Sequence, residues 1–445
     1  MNQSTPGSAF RELRGDDFWQ VLKYEQPSSM LGVVLCYTSK CLPCKECKPI
    51  MEEWAKELDD KVRFYQFALT LPNKEVALAM DVRSSPTFLV IGKDGEIVAR
   101  SKGRAAVVEE EDRAKKKQKK TMASEKTLLI IDTDPGIGAM DISSSTTNVH
   151  ENVTVLGLTT IYGNVPTRMA TRNALYLTRV LANRSDVPVV EGSRTSLRGA
   201  SKERIADFVH GSDGFGNTEP EMPDTLMDHV HPGSAAEFIV KMAHEHPGKV
   251  VVLALAALTN VALALQLDPG LGDVLKNIVV LGGAMRVNGN VNPAAEANVY
   301  GDPDAANVVF SRVERCQLLG LDVTHECVMS VEEIEALKDK GLYGTFLRDI
   351  TQFYLQYHRD VYSMEGIFLH DAAAFTAVVH PEYFEWHTGK VLVVSDGPAK
   401  GHTIMDGLER PWIGSNAWDD HVPIKVALGV DRHKVLEFVK DRMSQ

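Results

Sequence analysis

The chain has 445 residues, which is more than one ordinary domain holds, so we expect two domains. Its composition, 44% hydrophobic and 24% charged, is that of a globular protein with enough apolar residues for sizeable cores. The formal net charge of −12 argues against a nucleic-acid binder, and no apolar run reaches the ~18 residues of a membrane helix. The N-terminus has no export or import signal, which predicts a cytoplasmic protein that binds neither nucleic acid nor membrane.

The first predicted strand is a short run of valine and leucine at residues 31–37. A Cys-x-x-Cys pair, Cys41 and Cys44, follows it and precedes a segment with a helical pattern. Such a pair at a strand-to-helix turn places its first sulfur at the helix N-terminus, where the helix dipole favours the reactive thiolate. Four of the six cysteines lie between Cys36 and Cys47, which favours local thiol chemistry in a reducing compartment over a disulfide framework.

A later proline-containing turn and a two-stranded hairpin complete a pattern that resembles the thioredoxin family over residues 10–105. The resemblance implies a thioredoxin fold in which Cys41 is the attacking thiol, Cys44 the resolving thiol and Pro86 the cis-proline beside them. It also implies a protein partner for thiol–disulfide exchange.

Three roles remain open for this N-terminal unit. Leu35 stands where the family carries a buried aspartate that assists proton transfer, and Lys40 stands where it carries tryptophan. The unit is therefore either a redox-active module or a thioredoxin fold used for docking, since fold alone does not imply function. Cys47 adds a third cysteine to the motif, and a metal site with one further ligand is the third role.

A charged segment separates this unit from the rest of the chain. Residues 109–112 are acidic and residues 115–120 are mostly lysine, an order that suits an exposed helix with acid–base pairs at i,i+4 spacing. We expect a thioredoxin-like domain at 1–105, a linker at 106–124 and a second domain at 125–445. A nuclear-localisation or nucleic-acid role for the lysines is the alternative to a solvated linker.

The second unit begins with an apolar run at 128–131, which predicts a buried parallel strand. The run leads into Asp-Thr-Asp-Pro-Gly at 132–136. Open α/β sheets place their ligands at the C-terminal ends of the strands, so this acidic cluster is a candidate site.

Segments along the whole second unit resemble, in order, the motifs of the nucleoside hydrolases, also called inosine-uridine-preferring N-ribohydrolases. The matching segments are 131–136, 157–165, 210–216, 251–260, 278–284, 289–298, 321–325 and 370–371. The resemblance is closest to the plant-type uridine nucleosidases. It implies an open α/β fold with a mostly parallel central sheet, placed after the thioredoxin fold. It also implies hydrolysis of the N-glycosidic bond of a uridine- or inosine-type nucleoside to ribose and free base.

The residue types suit this chemistry because breaking the bond builds positive charge on the ribose, as in glycoside hydrolysis. Carboxylates stabilise that charge, and a hard cation with oxygen ligands orients the diol and the attacking water. The resemblance implies that Asp134 is a calcium ligand and the general base, with Asp371 and the carbonyl of Leu255 as further ligands. It also implies that His210 and His370 face the base and act as acids at its departure.

Further side chains are assigned to the ribose by the same resemblance. They are Asn164 near the sugar, Asn298 and Glu296 at its hydroxyls, and Asn290 with Glu296 towards its 5′ side. Asp132 and Asp322 are expected to be strand-end structure, and His325 to be a surface or satisfied histidine. Cys316 and Cys327 are expected to pack in the core.

The metal-binding motif departs from the family in two positions. The family motif continues with two aspartates, whereas this chain has Gly138 and Ala139. Calcium takes about six to eight oxygens, so the loss of two carboxylates predicts a weakened site and slower turnover. Residues 139–152 also lack the apolar stripe of the helix expected there. The alternatives to an active hydrolase are a pseudoenzyme that still binds ribose and a chain whose working unit is the thioredoxin-like module. A homo-oligomer is a further expectation.

Overall fold

In the computed structural model of the protein, the N-terminal unit is built on a sheet with the strand order β1-β3-β2-β4-β5. The strands are β1 (Arg11–Leu13), β2 (Leu31–Tyr37), β3 (Val62–Ala68), β4 (Thr87–Ile91) and β5 (Ile97–Lys102). Both β1 and β2 run parallel to β3, whereas β4 is antiparallel to β2 and to β5. This mixed sheet, with β2 between β3 and β4, is the one that the thioredoxin fold predicts.

The structure describes residues 11–13, 31–37, 62–69, 82, 87–91, 97–102, 126–136, 152–200, 205–408, 410 and 412–443. The chain divides into two compact units, Met1–Ser124 and Glu125–Gln445. Within the described ranges, no helix is long and apolar enough to cross a membrane. Several predictions fall outside those ranges, namely the ones for Cys41, Cys44, Cys47, Pro86, residues 106–124, Gly138 and Ala139.

The second unit is built on a sheet with the order β15-β14-β16-β11-β10-β9-β6-β7-β8. Its strands are β6 (Thr127–Thr133), β7 (Val153–Thr160), β8 (Val189–Glu191), β9 (Val250–Ala254), β10 (Asn277–Leu281), β11 (Cys316–Leu319), β14 (Phe384–Val393), β15 (Thr403–Asp406) and β16 (Ile424–Val430). Seven neighbouring strands of this sheet pair in parallel, in the order β16, β11, β10, β9, β6, β7 and β8. At the other side of β16, β14 and β15 form an antiparallel edge. The prediction of a mostly parallel central sheet is therefore confirmed. A separate antiparallel pair joins β12 (Val328–Ser330) to β13 (Gly366–Phe368).

The helices connect these strands. The α-helices are α1 (Thr167–Leu175), α2 (Asp207–His210), α3 (Ala235–Glu245), α4 (Thr259–Leu267), α5 (Leu271–Val274), α6 (Ala297–Gly301), α7 (Pro303–Arg312), α8 (Leu321–Thr324), α9 (Val331–Glu335), α10 (Gly341–Tyr362), α11 (His370–Val379) and α12 (Arg432–Met443). A π-helical segment, Tyr176–Leu181, continues α1, and 3₁₀ turns occur at Leu226–His229, Ala336–Asp339 and Pro381–Tyr383.

The central strands are apolar on both faces because both faces of the sheet are covered. Leu129 and Ile131 belong to one core cluster, whereas Ile130, between them on β6, belongs to the cluster on the opposite face. Burying each such side chain contributes about 1.5–3 kcal/mol, which explains the unbroken apolar runs that mark these strands in the sequence. Cys316 and Cys327 are buried in these clusters, as predicted.

Two local expectations change in the structure. The segment that begins at Leu321 was expected to be the end of a strand, but β11 ends at Leu319 and α8 starts at Leu321. His325 is neither a surface histidine nor a satisfied one, since its ring stacks on Phe368 with centroids 4.4 Å apart. Its Nε2 atom is buried with no hydrogen-bond partner among the described residues.

Candidate active site

The candidate site lies where the order of the parallel strands reverses. From β6 the chain proceeds outward to β7 and β8, and from β9 it proceeds the other way to β10 and β11. Asp134 comes directly after β6, and Leu255 comes directly after β9. In open α/β sheets, the crevice at such a switch point is where ligands bind.

A cavity of about 490 Å³ opens at this crevice. The predicted site residues that line it are Asn164, His210, Leu255, Asn290, Glu296, Asn298, His370 and Asp371. They come from parts of the chain that are up to about two hundred residues apart, so the fold gathers the side chains that the sequence suggested separately.

Asp134 is buried and adjoins the cavity through Asn164. The backbone N–H of Asn164 donates to Oδ2 of Asp134 over 2.5 Å, and the Asn164 side-chain amide donates to Oδ1 over 3.3 Å. Gly163 makes this approach possible, since a Cβ atom there would lie 1.8 Å from Oδ2 of Asp134. Charge-assisted hydrogen bonds of this kind hold a carboxylate in one orientation.

Asp132, two residues earlier, has a different environment. Its Oδ1 accepts hydrogen bonds from the Thr159 hydroxyl over 2.6 Å and from the Asn260 amide over 2.8 Å. Its Oδ2 is buried with no hydrogen-bond partner among the described residues. Burial raises the pKa of Asp132 to about 7, against the two hydrogen bonds that lower it. This environment fits the expected structural role at the strand end.

The predicted metal ligands are all hard oxygen donors. They are the two carboxylates of Asp134 and Asp371 and the backbone carbonyl of Leu255, a donor type that suits calcium. The Leu255 carbonyl also accepts a hydrogen bond from the side-chain amide of Asn298 over 3.0 Å. Within the described residues, no group of three or more histidine, cysteine, aspartate or glutamate side chains is arranged to hold a metal ion. Carboxylate and carbonyl oxygens of this kind fit the chemistry of calcium.

The expected ribose-binding side chains also build the loop that carries them. The carboxylate of Glu296, which is 4% exposed, accepts hydrogen bonds from the backbone N–H groups of Gly283, Asn298 and Val299 at 2.9–3.1 Å. Oδ1 of Asn290 accepts from the backbone N–H of Ala297 over 2.9 Å. Glu296 thus caps α6 as well as facing the cavity, a second role that its position before a helix could have suggested.

His370 lines the cavity and is hydrogen-bonded to a side chain from another helix. Its Nδ1 lies 2.7 Å from the hydroxyl of Thr324 on α8. Burial, followed by the nearby rings of His325, His358 and His210, lowers the pKa of His370 to about 3. An imidazolium acid at neutral pH, the role expected from the resemblance, is therefore disfavoured at this position.

An aromatic wall completes the cavity, and sequence reasoning missed it. Helix α10 contributes Tyr354, Tyr357, His358 and Tyr362 to the lining, and Phe208 and Phe368 add to it. The ring of Tyr354 stacks on His210 with centroids 5.9 Å apart. The signal was available, because residues 354, 358 and 362 recur at the spacing of one helical face.

The phenols of this wall remain protonated. Burial, with the negative charge of Asp371 as a smaller cause, raises the pKa of Tyr354. Burial and the neighbouring Tyr357 raise the pKa of Tyr362 to about 12. His358 is positioned by a hydrogen bond between its Nδ1 and the carbonyl of Tyr354 at 2.8 Å, and burial lowers its pKa. An aromatic wall of this kind suits a flat heterocycle.

Residues 129–437 match the family described as inosine-uridine preferring nucleoside hydrolase. The chain belongs to the nucleoside hydrolase family. Residues 10–112 match the thioredoxin family, which together with the strand order of the N-terminal sheet confirms the predicted fusion. The chain is thus an N-ribohydrolase with a thioredoxin-like unit.

Relatives of this nucleoside hydrolase are found in plants and bacteria. It is 46% identical over 316 residues to a probable uridine nucleosidase 1 of Oryza sativa subsp. japonica, with 70% of this chain and 95% of the rice protein covered. It is 44% identical over 320 residues to uridine nucleosidase 1 of Arabidopsis thaliana, with 71% and 92% covered.

Solved structures agree with the fold. A plant nucleoside hydrolase, the PpNRh1 enzyme, matches with a TM-score of 0.68 and 42% identity over 72% of this chain and 99% of that chain. A purine-preferring ribonucleoside hydrolase from Gardnerella vaginalis matches with a TM-score of 0.64 and 31% identity, covering 71% and 98%.

Proposed function

We propose that the nucleoside hydrolase unit cleaves uridine to ribose and uracil. The observation that carries the proposal is that one cavity brings together the predicted sugar-binding side chains, Leu255 and Asp371. This cavity lies beside the buried Asp134. The relatives named uridine nucleosidase support uridine as the substrate, since they share 44–46% identity, against 31% for the purine-preferring structure.

In this proposal, the oxygen of water bonds to C1′ of the ribose while the bond from C1′ to the base nitrogen breaks. Asp134 accepts the proton of the water, because Asn164 anchors its carboxylate beside the cavity. The carboxylate of Asp371 lines the same cavity and offsets the positive charge that develops on the ribose. The wall of α10 holds the base and excludes water from it.

The base leaves with the electron pair of the broken bond and takes up, by way of solvent, the proton that Asp134 removed from the water, while His370 assists through a hydrogen bond. Because the surroundings lower the pKa of His370, we propose that the Thr324 hydroxyl donates to Nδ1, so that Nε2 carries the hydrogen. As a neutral imidazole, His370 then donates a hydrogen bond from its Nε2–H to the departing base. This modifies the imidazolium role that the resemblance implied.

Asp134, Asp371 and the carbonyl of Leu255 would hold calcium in this site. The ion, when bound, orients the ribose diol and the attacking water. These residues offer at most about five of the roughly six to eight oxygens that calcium takes, which supports weak affinity. Gly138 and Ala139, where the family carries carboxylates, lie outside the described residues.

The test is ribose release from uridine and from inosine by the purified full chain, with added calcium and with a chelator. We expect release from uridine to exceed release from inosine, and Asp134→Asn to abolish it without changing the melting temperature. Uridine that binds in calorimetry but releases no ribose under any condition would favour the pseudoenzyme. Absence of both binding and release would contradict the proposal.

We also propose that Cys41 and Cys44 of the N-terminal unit form a reversible disulfide with a protein partner as the exchange substrate. Both cysteines of the hydrolase unit, Cys316 and Cys327, are buried, and burial raises their pKa to about 12, which supports a partner outside that unit. Mass spectrometry after limited alkylation should find Cys41 modified faster than Cys47. Equal rates would argue against a reactive Cys41.

We propose domain boundaries at 1–105 and 125–445 with a charged linker at 106–124. The two family matches, to residues 10–112 and 129–437, support a break in this region. We propose the cytoplasm as the compartment and a homo-oligomer as the assembly, which cell fractionation and sedimentation measure directly.

A further inference from the structure

The loop at residues 282–296, which we name the sugar loop, connects β10 to α6. It carries Asn290 and Glu296, and both side chains line the cavity. At its start, the backbone of Ala284 makes two hydrogen bonds with the hydroxyl of Thr403, each 2.9 Å long. Further along, the N–H of Asn290 donates to the carbonyl of Ala295 over 3.1 Å. The placement of the loop therefore sets where its cavity-facing side chains lie.

Asp322 holds the next two residues of this loop. Its Oδ2 accepts a hydrogen bond from the backbone N–H of Met285 over 2.8 Å, and its Oδ1 accepts from the backbone N–H of Arg286 over 2.7 Å. Two consecutive amides are thus bound by one carboxylate on α8, a helix that is distant in sequence. Both bonds are short, as expected when the acceptor is charged.

The backbones of the two segments are also in close contact. The N–H of Leu321 donates to the carbonyl of Gly283 over 2.9 Å. A Cβ atom at Gly320 would lie 2.7 Å from the carbonyl oxygen of Gly283 and 3.0 Å from Oδ2 of Asp322, so this approach requires glycine. The start of α8 and the start of the sugar loop therefore pack as one unit.

We infer that Asp322 is a positioning residue for the 5′ side of the nucleoside, acting through the sugar loop and Asn290. The inference rests on the proposed function, which uses the sugar-binding side chains that the resemblance assigns, with Asn290 towards the 5′ side of the ribose. A carboxylate is suited to this task because it offers one acceptor oxygen to each of two amides. Asparagine at the same position would face one of those N–H groups with its own NH₂ group, so one bond is lost and the loop is released.

The experiment compares the full chain with its Asp322→Asn variant, using two readouts. Hydrogen exchange by mass spectrometry follows the amides of residues 283–298. Steady-state hydrolysis compares uridine with 5′-deoxyuridine, which lacks the hydroxyl that Asn290 would meet. Asp268→Asn is the matched control, since Asp268 also accepts a backbone N–H, from Gly270 over 3.0 Å, and does not line the cavity.

We expect faster exchange of the sugar loop in Asp322→Asn and no change there in the control. We expect KM for uridine to rise about tenfold with kcat changed less than about threefold, and KM for 5′-deoxyuridine to change less than about twofold. A purely structural defect would raise KM for both substrates alike and would also lower kcat. If Asp322→Asn does not fold, Asp322→Glu, which keeps the charge, is measured in the same way.

Unchanged exchange of the sugar loop overturns the inference, and so does an equal rise of KM for both substrates. A wild-type chain that neither binds nor hydrolyses uridine overturns the proposed function instead. That failure is separate from the exchange readout, which needs no substrate and shows by itself whether Asp322 holds the loop.

Discussion

Replacing Gly163 with alanine tests whether the position of Asp134 controls activity. A Cβ atom at residue 163 would lie 1.8 Å from Oδ2 of Asp134 and 2.8 Å from its Cγ, far inside van der Waals contact. The carboxylate must therefore move away from the backbone N–H of Asn164, which now donates to it over 2.5 Å. The side-chain amide bond from Asn164, already 3.3 Å long, is lost with it.

The size of the effect follows from these bonds. A hydrogen bond to a charged group contributes roughly 1.5–3 kcal/mol. At about 1.4 kcal/mol for each factor of ten, losing the shorter bond corresponds to a roughly 10- to 150-fold fall in kcat/KM. Because the displaced carboxylate also leaves the position from which it meets the water, we expect the fall to be about 100-fold, near the upper end of that range.

The assay is ribose release from uridine at concentrations well below KM, so that the rate reports kcat/KM. Gly270→Ala is the control, since the nearest atom to its added Cβ is Oδ1 of Asp268 at 3.4 Å, an ordinary contact. Thermal melting of both variants shows that each is folded. An undiminished kcat/KM in a folded Gly163→Ala protein would refute the reasoning, as would an equal fall in the control.

Three further predictions address the rest of the site and the domain organisation. Thr324→Val removes the hydroxyl 2.7 Å from Nδ1 of His370, and loss of this partly buried hydrogen bond should lower kcat about tenfold with little change in KM; an unchanged kcat contradicts it. Restoring Gly138→Asp together with Ala139→Asp should tighten calcium binding in a titration and raise uridine hydrolysis, whereas ordinary family-level turnover in the unmodified chain would contradict the weakened site. Cleavage near Lys117 should leave two soluble pieces with the melting transitions of the intact chain, and aggregation of either piece would contradict independent folding.

Several features of the site could be predicted from short stretches of sequence. The strand before Asp134 was predicted correctly from its unbroken apolar run, which marks a parallel strand buried on both faces, whereas Leu255 was assigned through the resemblance. Asp371 was found through its neighbour His370 and the order of the motifs along the chain. These signals lie in neighbouring residues or in the order of motifs along the chain, so they can be recognised without knowledge of the fold.

Other features required the fold. Tyr354, His358 and Tyr362 of α10 recur on one helical face. Their spacing does not predict whether that face contacts the core, the solvent or a cavity. His325 was expected to be a surface or a satisfied histidine, yet its ring stacks on Phe368 of a distant strand and its Nε2 has no hydrogen-bond partner among the described residues. The carboxylate of Asp322 appeared to be strand-end structure, and only tertiary contact shows that it binds two amides of the sugar loop.

The sequence by itself indicated the two fold classes and the strands along the chain, and through the resemblance it predicted the residues that would carry the hydrolytic chemistry, because apolar periodicity and motif order depend on neighbouring positions. Tertiary structure alone decided the protonation of these residues and the partners of their side chains. Distant elements lower the pKa of His370, and the carboxylate of Glu296 gains a hydrogen bond from the backbone N–H of Gly283, which lies outside the helix that Glu296 caps. Burial and hydrogen-bond partnership depend on residues far apart in the chain, so they exist only once the sheet and its helices have packed.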